Sequence, residues 1–381
     1  MSASRLACVE CGRLSERTSF VTYAPLKLSP TTPSICAPRN TPVRRLRSLP
    51  TRAKLSATEK NLANRPDGSS NASDRHKTRA VVARFKVQRR IAVGVIMGAV
   101  VIAFVFSGRW VFALGMLATS LTGLYEYYRM VAAKGHLPAY KMGLCVTAAT
   151  LLSSAFSPTL ADVVFPVGGT MICIYLLFRR RKIATIADIS TTFMGLFYAG
   201  YLPSYWIRLH EYNGALTQNV VAGVISFVWP HASGFQPTIT VGSLIVFWTW
   251  LAGACADIGA FFVGRTYGRT RFSNISPKKT VEGAVAGFLC SASVSILGAY
   301  LLQWPLWWAT GPVYGVTVGI LGLCGDLFES CFKRDVGWKD SGSLFPGHGG
   351  MLDRADSYVL VAPLVYFFAT LVLPFITRIV R

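Results

Sequence analysis

From Ile91 onward the chain is a succession of apolar runs, and this feature restricts the possible folds more than any other. Most runs approach the roughly 20 mostly apolar residues that a helix needs to cross a bilayer. Inside lipid, helices of this length satisfy their own backbone hydrogen bonds, so a helical bundle is expected rather than a barrel. We therefore predict an all-α, polytopic membrane bundle of about eight or nine transmembrane helices. The approximate runs are 91–107, 110–128, 141–158, 162–178, 183–207, 238–264, 283–303, 306–325 and 357–378.

The composition agrees with lipid as the solvent for much of the chain. Charged residues make up 15% of the 381 residues and hydrophobic residues 52%, whereas soluble domains carry about 25% charged residues. The net charge of +22 does not indicate nucleic-acid binding, because residues 1–90 alone hold 19 Lys and Arg against 5 Asp and Glu. We therefore expect the lipid bilayer, and no nucleic acid, as a partner.

Residues 1–88 differ from the rest of the chain. They lack hydrophobic periodicity and are rich in Ser, Thr, Arg and Pro. Without an apolar core of the secretory type, this composition is typical of an organellar transit peptide; a disordered basic tail on a cytosol-facing enzyme is the alternative. We predict a leader over 1–88 and a membrane-embedded domain over 89–381. The Ser, Thr and Pro content favours a plastid (chloroplast) membrane, with the mitochondrial inner membrane as second choice.

Acidic residues concentrate in the longest polar stretch between the apolar runs. Asp326, Glu329 and Lys333 are spaced so that they share one face if the preceding helix continues. Asp353 and Asp356 are again three residues apart, at the expected start of the last helix. If these two faces converge, they suit Mg²⁺, which typically binds one or two carboxylates plus substrate phosphates.

Cations and glycines lie between and within the two acidic faces. The cations are Lys333, Arg334, Lys339 and Arg354. Arg offers planar bidentate contacts to phosphate and Lys offers a point charge, while glycines allow the backbone to approach an anion closely. These features equip a site for phosphoryl or nucleotidyl transfer, in which positioning and charge neutralisation supply most of the catalysis. The sequence contains no Walker A pattern.

The same stretch resembles the signature of the phosphatidate cytidylyltransferases. The matching residues are Ser330-x-Phe332-Lys333-Arg334, Lys339-Asp340-x-Gly342 and Phe345-Pro346-x-His348-Gly349-Gly350-Met351-x-Asp353-Arg354-x-Asp356. An upstream segment is also similar to the family, through Asp257, Gly264, Gly268 and Ile275-Ser276-Pro277-Lys278-Lys279-Thr280-x-Glu282-Gly283. Two positions depart from the family pattern. Ala355 stands where the family usually has a larger apolar residue, and Phe261 stands where it often has Tyr.

The resemblance implies an enzyme in which the phosphate of phosphatidate attacks the α-phosphorus of CTP and pyrophosphate leaves. It implies Mg²⁺, with Mn²⁺ as an alternative, held by Asp326, Asp353 and Asp356, and it also implies a homodimer. The implied catalytic residues are Asp326, Lys333, Arg334, Lys339, Asp340, His348, Asp353, Arg354 and Asp356. The implied substrate-binding residues are Ser276, Lys278, Lys279, Glu282, Ser330, Gly349 and Gly350.

Other interpretations stay open. A CTP-dependent polyprenol or phytol kinase shares the membrane setting but transfers the γ-phosphate to an alcohol. A transporter would line a path with charges within repeated halves, whereas the charges here lie in two loops late in the chain. Asp257 is interpreted either as functional or as a hydrogen-bonding group within the bundle. Lys278 and Lys279 also suit lipid headgroups, and Glu126 is interpreted as structural.

Overall fold

The structure, a computed structural model, is helical throughout the part of the chain that it describes. The described residues are 98–178, 183–213, 239–342, 344 and 349–380. Within them, an isolated antiparallel β-bridge joins Arg271 and Thr280. The all-α prediction is thereby confirmed, while the predicted leader and His348 lie outside the described residues.

The helices follow the apolar runs of the sequence. They are α1 (Arg109–Ala133), α2 (Tyr140–Phe156), α3 (Pro158–Leu177), α4 (Ile186–Gly195), α5 (Leu202–His210), α6 (Val241–Tyr267), α7 (Val281–Leu301), α8 (Trp307–Val336), α9 (Leu352–Val359), α10 (Val361–Phe367) and α11 (Leu373–Val380). Two π-helical segments, Leu196–Tyr201 and Phe368–Val372, join α4 to α5 and α10 to α11. Residues 98–105 are also helical.

Several of these helices have the length and composition of membrane spans. Within the described residues there are five, namely Pro158–Leu177, Val241–Tyr267, Val281–Leu301, Trp307–Val336 and Leu352–Val380. The last of these combines α9, α10 and α11. The polytopic membrane architecture is therefore confirmed, and the number of eight or nine spans stays a prediction.

Helix α8 continues well past the end of the apolar run 306–325. Asp326, Glu329 and Lys333 therefore lie on its last turns, as their spacing predicted. The helix ends at Gly337, whose φ of 74° is in the left-handed region, where glycine is the usual residue after a helix. The polar loop is thus shorter than the sequence suggested, because the helix extends beyond its apolar part.

Helices α6 and α7 pack closely because small residues lie between them. A Cβ added to Gly287 would lie 2.8 Å from the backbone oxygen of Ala256, and one added to Gly283 would lie 2.8 Å from that of Ala260. Side chains larger than hydrogen would force the helices apart, as at other interfaces of membrane helices. This close pair, together with α8 and α9, forms the walls of a cavity.

Candidate functional site

The two sequence segments that carry the family resemblance meet at one end of the bundle. Lys279, in the loop before α7, forms an ion pair with Asp326 on α8. The side chains are 26% and 30% exposed, so the pair is accessible to a ligand. Residues that are distant in sequence are thus joined by the packing of α6, α7 and α8.

A cavity of about 630 Å³ lies beside this ion pair, with walls from α6, α7, α8 and the start of the last span. We call it the polar cavity. Its charged and hydroxyl-bearing wall includes Asp257, Arg265, Ser276, Lys278, Lys279, Asp326 and Ser357. Glycine, alanine and larger apolar residues such as Phe288 and Val318 line the remainder. Its volume is typical of ligand pockets, and its mixed lining suits a ligand with charged and apolar parts.

The loop before α7 folds back on itself and thereby places its lysines at the polar cavity. The backbone N–H of Phe272 donates to the carbonyl of Lys279 at 2.9 Å. The carboxylate of Glu282 accepts from the backbone N–H groups of Arg269 and Thr270 at 3.2 and 3.1 Å. Glu282, predicted to bind substrate, holds this loop to the start of α7 and is absent from the cavity lining among the described residues.

Lys333 connects the last turns of α8 to the first turn of α9. Its ammonium pairs with Glu329, one turn earlier, and with Oδ1 of Asp353 at 2.6 Å. The side chains are 13%, 0% and 11% exposed, respectively. Removing one partner of such a buried ion pair is strongly destabilising, because it leaves an uncompensated charge. Lys333 therefore fixes the position of α9 relative to α8.

Both oxygens of Asp353 are occupied by protein donors. Oδ1 accepts from Lys333, while Oδ2 accepts from the backbone N–H and hydroxyl of Ser341 at 2.9 and 3.0 Å and from the N–H of Gly350 at 2.8 Å. Gly349 has a φ of 85°, which glycine adopts at no steric cost. This turn presents the Gly350 amide to Asp353, so Asp353 holds Ser341 and Gly350 at the start of α9.

Glu126 organises the same loop from the far side of the sequence. It lies towards the end of α1 and is 4% exposed. Its carboxylate accepts from the backbone N–H groups of Met351 and Leu352 at 3.0 and 2.9 Å and from the Ser341 hydroxyl at 2.9 Å. An acid in this position satisfies unpaired amides at the N-terminus of α9 and complements the helix dipole. The structural interpretation of Glu126 fits, and the structure adds that it supports the site.

Sequence reasoning missed this connection of Glu126 to the site. The available signal was an acidic residue inside an apolar helix, which is costly and marks a specific role. The partners of Glu126 lie more than 200 positions later in the chain. Helical spacing predicts contacts only between residues within a few turns of one helix, so it does not predict these contacts of Glu126.

Asp326 and Asp356 are neighbours across the contact between α8 and α9. A Cβ added to Gly325 would overlap the backbone oxygen of Asp356, which shows how closely the two helices approach. The Ser330 hydroxyl lies 3.4 Å from Asp326, and the backbone N–H of Ser357 donates to Asp356 at 2.7 Å. The predicted binding residue Ser330 thus lies beside Asp326.

The three predicted metal ligands do not form one group. In the described ranges, no set of three His, Cys, Asp or Glu side chains is arranged to hold a metal ion. Asp353 directs both oxygens to protein donors, whereas Asp326 and Asp356 are adjacent. Mg²⁺ typically takes one or two carboxylates plus substrate phosphates. Asp326 and Asp356 fit this ligand set, whereas Asp353 does not, because protein donors already occupy its oxygens.

The remaining predicted residues are distributed around this centre. Asp257 lines the polar cavity near Lys279 and Asp326, which favours its functional interpretation. Arg334, Lys339 and Asp340 are exposed and do not line the cavity within the part of the chain described. Arg354 lies in the wall of a second cavity.

The chain is similar to known proteins over most of its length. The profile of the cytidylyltransferase family matches residues 88–372. A phosphatidate cytidylyltransferase from Synechocystis sp. is 48% identical over 294 residues, which cover 76% of this chain and 99% of that protein. Phosphatidate cytidylyltransferases 5 and 4, both chloroplastic, from Arabidopsis thaliana are 35% and 34% identical; the alignments cover 82% and 74% of this chain and 78% and 73% of those proteins.

Proposed function

The chain belongs to the cytidylyltransferase family, and we propose that the polar cavity is where CTP reacts with phosphatidate. The protein is a membrane nucleotidyltransferase that transfers CMP from CTP to phosphatidate and yields CDP-diacylglycerol and pyrophosphate, a step of phospholipid synthesis. The observation that carries the site assignment is the Lys279–Asp326 ion pair at the polar cavity, because it joins both motif segments. The chloroplastic relatives and the span-length helices support an integral protein of a plastid membrane.

The lysines of the loop before α7 are assigned to the phosphates of CTP. Lys278 and Lys279 both line the polar cavity, and an ammonium group acts on phosphate oxygens as a point charge. In the structure Lys279 neutralises Asp326. An incoming triphosphate offers Lys279 a second anionic partner, so the nucleotide would compete with Asp326 for the Lys279 ammonium.

Asp326 and Asp356 are assigned as the residues that would hold Mg²⁺ or Mn²⁺. A divalent ion supplies charge neutralisation on the phosphates and stabilises the leaving pyrophosphate. The support for this assignment is the close approach of α8 and α9 at Gly325 and Asp356, next to a cavity that carries Asp326 and two lysines. Asp353 is assigned a positioning role instead, because Lys333, Ser341 and Gly350 occupy its oxygens.

The reaction makes modest demands on proton transfer. The phosphate monoester of phosphatidate is already anionic near neutral pH, so one of its oxygens attacks the α-phosphorus directly. The bond from the α-phosphorus to the oxygen that bridges to the β-phosphorus breaks, and pyrophosphate leaves with that oxygen. The protein therefore contributes mainly orientation and charge neutralisation. The network of Lys333, Asp353 and Glu126 holds α8, α9 and their loop in the required arrangement.

The test of this function is the transfer of label from CTP. Purified protein in detergent is incubated with phosphatidate, Mg²⁺ and CTP that is labelled at either the α or the γ position. We expect α label in the lipid and release of pyrophosphate, with transfer abolished in Asp356→Ala. Polyprenol and phytol are assayed in parallel. Transfer of γ label into any of these lipids would contradict the proposal and support a lipid kinase.

Two further properties rest on the resemblance and on composition. We propose a homodimer, which mass measurement of the detergent-solubilised protein tests by giving the mass of two chains rather than one. We also propose that residues 1–88 are dispensable for turnover. A shortened chain that inserts into a membrane but has lost all label transfer would overturn the assignment of this leader.

A further inference from the structure

A second cavity, of about 510 Å³, borders α9 mainly through other residues than the polar cavity does. We call it the apolar cavity. Its walls come from residues 98–105, α1, α5, α6 and α9, and they are formed mostly by apolar side chains such as Phe104, Met116 and Leu251. Tyr358 lines both cavities. One aromatic side chain therefore stands between them.

Two polar groups in the wall of the apolar cavity are buried without a hydrogen-bond partner among the described residues. They are the hydroxyl of Ser120, on α1, and the indole N–H of Trp250, on α6. Ser120 is 4% exposed. Buried donors in native structures are nearly always paired, so each exception calls for an explanation. Both groups can donate, so an occupant with acceptor oxygens would satisfy them.

The charged member of the same wall is Arg354, which belongs to the family-like motif. Arg354 and Tyr358 are four residues apart on α9 and share a face of the helix. Asp356 lies on a different face of the same helix, next to Asp326. Helix α9 therefore carries a cation towards the apolar cavity and a carboxylate towards the reaction site.

We propose that the apolar cavity binds the acyl-ester part of phosphatidate, an inference that rests on the proposed function. The ester carbonyl oxygens of the lipid accept hydrogen bonds and match the unpaired donors of Ser120 and Trp250. An acyl chain matches the apolar wall, and the phosphate, which is anionic near neutral pH, matches the Arg354 guanidinium. The shared Tyr358 puts such a lipid next to the polar cavity, where CTP is assigned.

The test compares two lipids of equal chain length, diacyl phosphatidate and its dialkyl ether analogue, which lacks both carbonyls. Trp250→Phe keeps an aromatic ring for packing against Phe104 and Trp206, at 6.5 and 5.7 Å between ring centroids, but removes the N–H. We expect kcat/KM for the diacyl lipid to fall about two- to tenfold, the range of one lost hydrogen bond. The ether lipid should show no change, and the KM for CTP should stay constant with both lipids.

A second variant and a control keep the test decisive. Ser120→Ala should give the same selective loss, and it serves if Trp250→Phe does not fold. Trp308→Phe is the control, because Trp308 is 64% exposed at the start of α8 and should affect neither lipid. Equal losses with both lipids, or no loss with either, would overturn the assignment of the cavity. Wild-type protein that transfers no α label to either lipid would overturn the proposed function itself.

Discussion

Charged side chains cluster at both ends of α1, but the two clusters are built differently. At the start of α1, Arg109 pairs with Glu211 at 3.3 Å, and nearby Arg208 pairs with Asp162 at 2.7 Å. The Arg208 guanidinium also lies over the Tyr205 ring, 4.6 Å from its centroid. Each carboxylate here has its own arginine, so the charges are balanced within the protein.

Near the other end of α1, carboxylates exceed the cations that pair with them. Lys279 and Lys333 form ion pairs with Asp326, Glu329 and Asp353. Glu126, Asp257 and Asp356 belong to the same region and form no ion pair with a described residue within 4.0 Å. We call the carboxylates Asp257, Asp326 and Asp356 the acidic cluster. The difference indicates that the balanced cluster holds helices together, whereas two carboxylates of the acidic cluster form no ion pair among the described residues, and a divalent cation that arrives with phosphate ligands suits them.

The largest effect is expected for removal of one carboxylate charge from the acidic cluster. Asp326→Asn keeps the size of the side chain but loses the charge that pairs with Lys279 and is assigned to the metal. We expect turnover to fall by about 100-fold or more, as for loss of one preorganised electrostatic contact in an active site. Initial rates of α-label transfer measure the effect, with a thermal melt to confirm folding.

A matched control lies on the same helix. Asp335, near the end of α8, pairs with Lys134 at 2.9 Å, and its side chain is 66% exposed. Asp335→Asn removes the same charge at a distance from the polar cavity, so turnover should remain within about twofold of wild type, because an exposed pair contributes little. Equal rates for Asp326→Asn and Asp335→Asn would contradict a specific role of the Asp326 charge in turnover.

An intermediate effect is expected for the support of the loop. In Glu126→Gln, one carboxylate oxygen becomes an amide N–H₂ that faces the donors of Met351, Leu352 or Ser341. We expect a destabilisation of about 1–3 kcal/mol, because a buried donor then lacks its acceptor. Turnover should fall about tenfold while the KM for CTP changes little, since Glu126 acts through the loop.

The matched variant for this prediction is Glu211→Gln in the balanced cluster. The Glu211 side chain is 30% exposed and pairs with Arg109, so the change should lower stability by no more than about 1 kcal/mol. Its turnover should match wild type. A melting temperature and rate for Glu126→Gln that equal those of Glu211→Gln would contradict the role of Glu126.

The smallest effect on turnover is expected for Asp162→Asn. The Arg208 guanidinium is buried, so this change leaves a buried charge without its ion-pair partner, which is destabilising. We expect a lower melting temperature but turnover near that of wild type, because Asp162 and Arg208 do not line the polar cavity among the described residues. A tenfold loss of turnover in well-folded Asp162→Asn would show that the balanced cluster takes part in the reaction.

The parts of this structure that depend on local spacing could be predicted from the sequence. The shared face of Asp326, Glu329 and Lys333 follows from helical periodicity, and the Lys333–Glu329 pair is an i, i+4 contact,. The limits of α8 were less predictable. Hydropathy falls where the residues become polar, but the backbone hydrogen bonds of the helix continue to Gly337.

The parts that depend on packing between distant elements were not predictable from spacing. The pairing of Lys279 with Asp326 and the capping of α9 by Glu126 require the positions of separate helices. Asp353 looked equivalent to Asp356 in the sequence, yet Asp353 accepts from Ser341 and Gly350, whereas Asp356 lies at the contact between α8 and α9. The residue types thus indicated a site for metal and phosphate, while the tertiary structure distinguished the position of Asp353 from that of Asp356.

The most direct test of the central claim measures metal binding by the acidic cluster. Electron paramagnetic resonance of Mn²⁺ reports bound ion independently of turnover, with and without CTP. We expect wild type and Asp335→Asn to bind Mn²⁺ in the presence of CTP, and Asp326→Asn and Asp356→Asn to lose this binding while they keep their melting temperatures. Equal Mn²⁺ binding by all four proteins would contradict the assignment of Asp326 and Asp356 to the metal.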